Sequence, residues 1–83
     1  MSSTNLYDRI TDITEEFLGP AAERFVTRQI TFHLGKSPEE LSQEDLPKLI
    51  QWTKVTFSLL TEDRVAIEEY IHKMEQLVND DEK

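Results

Sequence analysis

The chain has 83 residues, 17 acidic and 9 basic side chains, a formal charge of −8, 37% hydrophobic residues and no cysteine. That length limits it to one small domain whose core is worth only a few kcal/mol, with no disulfide to reinforce it. The acidic balance argues against binding nucleic acid through its phosphates, and no apolar run approaches the length of a membrane span.

Ser3 or Thr4 is placed to cap a first helix over about residues 5–18, where Leu6, Ile10, Ile13 and Phe17 recur at spacings of four, three and four. Gly19 and Pro20 mark the break. Glycine accepts the left-handed conformation that ends a helix, and proline suits the first position of the next. The second helix is expected over about 20–34. Ala22, Val26 and Ile30 form one line, with Ala21, Phe25 and Phe32 beside it, and Gly35 closes it. The Ala21-Ala22 pair is small enough for two helices to approach closely.

Residues 37–45 form a structured connection with one short helical turn, because Ser37-Pro38-Glu39-Glu40 matches a capping box with proline at the first helical position. Ser42 or Asp45 can cap a third helix over about 45–60, in which Pro47 is tolerated near the first turn. Leu46, Leu49, Ile50, Phe57 and Leu60 make its core face, with Trp52 and Val55 on its flanks. Thr61-Glu62-Asp63 opens a fourth helix over about 62–79, with Ile67, Ile71, Met74 and Val78 in one stripe and Tyr70 and Leu77 adjacent. Residues 80–83 read as a disordered polar tail. The fold class is therefore all-α, a small antiparallel four-helix bundle of one domain over 1–83. More apolar surface is present than a thin core hides, and a homodimer would cover the excess.

Charge is unevenly distributed. Residues 1–36 carry five acidic and four basic side chains, whereas 37–83 carry twelve and five. Much of the acidity lies at helix starts and in the tail, which leaves the second helix as the better face for a partner. Arg24 and Arg28 are four apart, as are Lys48 and Trp52, so each pair lies along one face. Arginine and tryptophan are enriched at binding hot spots. Arg24, Arg28, Phe32 and Trp52 are accordingly the candidate partner-binding residues. The run Glu39, Glu40, Glu44, Asp45 reads as helix-start chemistry, with a docking edge for a basic partner as its alternative.

Glu69-Tyr70-Ile71-His72 has the Glu-x-x-His spacing used in di-metal helical bundles. Only one copy is present, with Glu15 and Glu16 as the nearest candidate partners, so Glu69 and His72 are the alternative reading as a metal or ligand-sensing site. His33 suits a helix C-terminus, where an imidazolium meets the dipole favourably. There is no cysteine nucleophile, no recognisable Ser-His-acid set and no glycine-rich phosphate loop, so no catalytic residue and no cofactor are assigned.

Phe17-Leu18-Gly19-Pro20-Ala21-Ala22-Glu23-Arg24-Phe25-Val26-Thr27-Arg28 resembles the Gly-Pro-x-Ala-x-x-x-Val-x-Arg element of small helical domains, of uncharacterised role, that accompany bacterial kinases and other signalling proteins. The resemblance covers about a dozen residues and implies an accessory or adaptor module, with no catalytic residue to transfer. Taken together, the chain is expected to be a cytoplasmic, non-enzymatic protein-interaction or regulatory adaptor module, a homodimer with a protein partner and no nucleic acid or membrane ligand.

Overall fold

The stripe from Leu6 to Phe17 forms helix α1, Leu6–Leu18, in a computed structural model that describes residues 6–80. The proposed caps Ser3 and Thr4, and positions 81–83 of the expected tail, lie outside the described residues. Asp80 is instead the last residue of the fourth helix. Gly19 adopts a φ of 62°, and Gly19–Ala21 make a tight 3₁₀ turn with Pro20 in its opening positions. This turn delivers the chain into α2, Ala22–Gln29. Of the alanine pair only Ala22 is fully buried; Ala21 faces solvent.

Helix α2 runs on into a wide π turn, Ile30–Leu34, closed by a bond from the Gly35 amide to the Ile30 carbonyl. Gly35 has a φ of 67°, a left-handed conformation that a side chain would strain. The wide turn unwinds the helix and rotates Phe32 away from the Phe25 line. Phe25, Ala22, Val26 and Ile30 are buried, whereas Phe32 is 68% exposed and takes no part in the core.

The connection holds two 3₁₀ turns where one was expected, Pro38–Glu40 and Gln43–Asp45. Each is a capping box. The Ser37 amide donates to Glu40 Oε1 at 3.2 Å, and the Ser42 amide to Asp45 Oδ2 at 3.0 Å. Asp45 stands next to α3, Leu46–Leu60, yet does not cap it with its side chain. Its carboxylate turns back to Ser42 and to Lys36 Nζ, 2.7 Å away. The lysine hydrogen bond, opposed by partial desolvation, holds the Asp45 carboxyl below its ordinary pKa. Gln43 Nε2 donates to the Leu77 carbonyl at 2.8 Å and pins the connection to the last helix. Asp63 caps that helix, α4, Arg64–Asp80, by accepting the Ala66 amide at 3.2 Å.

Packing runs in a cycle, α1 on α2, α2 and its π turn on α3, α3 on α4, and α4 back on α1. The described residues are all helix and turn, with no strand, folded into a globule of 12.0 Å radius of gyration. Ile10, Val26, Ile30, Leu46, Leu49, Tyr70 and Met74 are fully buried at its centre. Two expectations about faces are corrected. The buried line of α4 is Tyr70, Met74 and Leu77, while Ile67, Ile71 and Val78 lie half-buried at its border. Tyr70 draws the helix round because its ring joins Phe17 and Phe57 and its hydroxyl meets Thr14. Leu60 is 59% exposed at the end of α3, beyond the reach of the neighbouring helices.

Candidate functional site

Helix α3 is apolar on two opposite sides. One side buries Leu46, Leu49, Ile50, Thr53 and Phe57. The other carries Trp52, Val55 and Leu59, which are 37%, 52% and 81% exposed. Their spacing of three and four residues sets them in one stripe roughly half a turn from the buried side. With Gln51, Lys54 and Ser58 they line a shallow, mostly apolar groove along the helix. Exposed apolar residues scattered singly need no explanation, but three aligned large ones on a single helix form a patch that favours contact.

One aromatic contact borders this stripe from the α2 side, and a second lies on α2 and its π turn. The Trp52 indole stacks on the His33 imidazole, centroids 3.9 Å apart and planes 7° from parallel. One turn further round, the Arg28 guanidinium lies 5.4 Å from the centre of the Phe32 ring. The π turn makes the first contact possible, because it carries His33 over the flank of α3. Below it, Thr56 Oγ1 donates to Gln29 Oε1 at 3.1 Å, which fixes α2 against α3 beside the patch.

Arg28 and Phe32 are thus brought together, and Trp52 is held by their neighbour His33. Arg24 is not part of this assembly. It lines a separate open depression on α2 with Pro20, Ala21, Glu23, Thr27 and Arg28. Within the element Gly19 to Arg28, Ala22 and Val26 serve the core and Arg24 and Arg28 face outward. Val55 and Leu59 complete the patch, though sequence reasoning placed the first only on a flank and passed over the second. A signal for them exists: Lys48, Trp52, Val55, Leu59 and Glu62 follow one another at spacings of four, three, four and three.

Glu69 and His72 are both exposed. His72 Nε2 stands 3.3 Å from Gln76 Nε2, and Glu16 Oε1 is engaged 2.7 Å from Lys73 Nζ, so the Glu-x-x-His spacing gathers no further carboxylate. The hydrogen bond and charge of Glu16 raise the Lys73 pKa. Among the described residues no three His, Cys, Asp or Glu side chains cluster as metal ligands, and no helix is long and apolar enough to cross a membrane.

Trp52 is the one tryptophan in the chain, so its emission reports on the stack. His33→Ala uncovers one face of the indole to water. A shift of the emission maximum to longer wavelength is expected, with a loss of about 1 kcal/mol in stability from the stacked pair. An unchanged emission spectrum would show that the stack does not shield the indole.

Comparison with models of protein families, with curated proteins and with solved structures finds no match to this chain.

Proposed function

We propose that the chain is a small, non-enzymatic protein-interaction module, an antiparallel four-helix bundle that acts as a homodimer and serves a cytoplasmic regulatory or adaptor role. The observation that carries this reading is the second apolar side of α3, with Trp52, Val55 and Leu59 held in view of solvent. A helix that needed only to close its own core would be polar on that side. The His33 stack at its border and the exposed pair of Arg28 and Phe32 on α2 and its π turn supply directional contacts of the kind interaction surfaces favour. Its resemblance over residues 17–28 to domains that accompany bacterial signalling proteins supports the adaptor role.

Sedimentation velocity across a wide concentration range tests the homodimer. The expected result is a mass that rises from one chain to two as concentration increases, with a greater dimer fraction for the parent than for Leu59→Glu. A monomer at every concentration counts against the reading.

A further inference from the structure

We infer that the exposed stripe of α3 is the surface on which two copies of this chain pair, the two α3 helices lying antiparallel about a two-fold axis near Val55. This rests on the homodimer proposed above and specifies where and in which direction the copies meet.

The occupant is indicated by the arrangement of charge. Residues 46–60 contain Lys48 and Lys54 and no carboxylate, in a chain with 17 acidic side chains. Just beyond the helix come Glu62 and Asp63, both exposed. Along the stripe the order is therefore Lys48, Trp52, Val55 and Leu59, at the alternating three and four spacing of a helix-pairing seam, with the acidic pair following the extended Thr61 beyond the helix end. This order is nearly antisymmetric about Val55. In an antiparallel pair Val55 meets its own copy, Trp52 packs against the other chain's Leu59, and Lys48 reaches the other chain's acidic pair. A two-fold axis produces every such contact twice. A parallel pair instead sets Lys48 against Lys48 and Trp52 against Trp52.

Shape agrees with this reading. Trp52 is the bulkiest residue of the stripe and is covered on one face by His33, and Leu59, at 81% exposure, is the most open. Antiparallel register sets the open face of the ring of one copy beside the exposed leucine of the other. Three apolar layers make a small interface, below the roughly 1,200 Å² of stable complexes, so a dissociation constant on the order of micromolar is expected.

The natural absence of cysteine makes the test direct. Val55→Cys places a thiol beside the axis, and mild oxidation of the full chain is expected to produce a disulfide dimer much faster than Arg24→Cys, whose position on α2 is away from the stripe. Equal rates for the two variants overturn the seam. Charge exchange gives a second, reversible measurement. Lys48→Glu is expected to weaken dimerisation about tenfold at low salt, because two rim pairs become repulsive at once. Lys48→Glu combined with Glu62→Lys is expected to restore it in large part, Asp63 being kept because it caps α4. Failure of this restoration overturns the antiparallel register. If the parent sediments as a dimer and neither result is obtained, the homodimer stands and the α3 seam is wrong. If the parent is a monomer throughout, both are wrong.

Discussion

Phe57→Ala is expected to lower stability by about 3–5 kcal/mol, the largest loss from any single truncation considered for this fold. The side chain is 3% exposed and stands where three helices meet. Its ring centre lies 5.0 Å from that of Tyr70 at 67° and 6.1 Å from that of Phe17 at 75°, both edge-on contacts. Phe17 and Tyr70 are themselves 5.3 Å apart, so the three rings close a triangle joining α1, α3 and α4. Removing one ring opens a cavity whose lining atoms lose their neighbours, because a packed core relaxes only in part. A domain of 83 residues has a total stability of only about 4–12 kcal/mol, so the loss is comparable with the whole. Thermal unfolding followed by circular dichroism should show a midpoint lowered by at least about 15 °C, or no cooperative transition at all. Leu59→Ala is the instructive contrast. At 81% exposure it is expected to change the stability of the monomer by less than about 0.5 kcal/mol. A Phe57→Ala variant that melts within a few degrees of the parent would show that the three rings do not hold the helices together.

Helical periodicity made the all-α class legible, and the punctuation was legible too. Gly19 and Gly35, the only glycines, are the two described residues that take a positive φ, and they stand at the ends of α1 and of the π turn. Less legible was the rotation of each helix about its axis. On α4, Ile67, Ile71, Met74 and Val78 are as regular a stripe as Tyr70, Met74 and Leu77, and apolar spacing alone does not choose between them. A hydroxyl partner on another helix decided it, since Thr14 receives Tyr70. On α3 the ambiguity is more informative. Its two apolar sides overlap in sequence, so a search for one stripe combines core residues with surface ones, whereas Leu60 has the helical phase of the core side and is exposed because it stands at the helix end. The π turn left no local signal, yet it sets Phe32 outward and His33 over Trp52. The expected site therefore separates into parts. Trp52 belongs to the α3 patch with Val55 and Leu59, Arg28 pairs with Phe32, and Arg24 and Arg28 line a separate depression on α2.

The buried Tyr70 and Thr14 hydroxyls should respond unequally to removal, and the direction of their hydrogen bond says how. Thr14 Oγ1 donates to the Ile10 carbonyl at 2.8 Å, which uses its one hydrogen. In the 2.8 Å contact with Tyr70 the phenol must therefore be the donor and Thr14 the acceptor. Thr14→Val keeps the volume but leaves the Tyr70 O–H buried without an acceptor, at an expected cost of about 2–3 kcal/mol. Tyr70→Phe removes the polar group that required a partner and keeps the ring, so the expected cost is about 1 kcal/mol. The double variant should be close to Tyr70→Phe alone, a coupling of about 2–3 kcal/mol between the two positions. The same burial predicts an alkaline transition. Desolvation, opposed in part by the Thr14 hydrogen bond, pushes the Tyr70 pKa up from 10.0 to about 12. Below pH 10 both folded and unfolded chains hold the proton, and the favourable contribution of the neutral buried phenol is complete. Between pH 10 and 12 the unfolded chain releases the proton while the folded chain keeps it. Stability is then lost as pH rises, by about 2–3 kcal/mol across that window. Urea unfolding at pH 9 and near the top of that window measures the loss. The parent should lose that much more than Tyr70→Phe, a difference in which contributions common to the two proteins cancel. Equal losses in the two proteins would mean that Tyr70 ionises without unfolding the core, and that its hydroxyl is in contact with water.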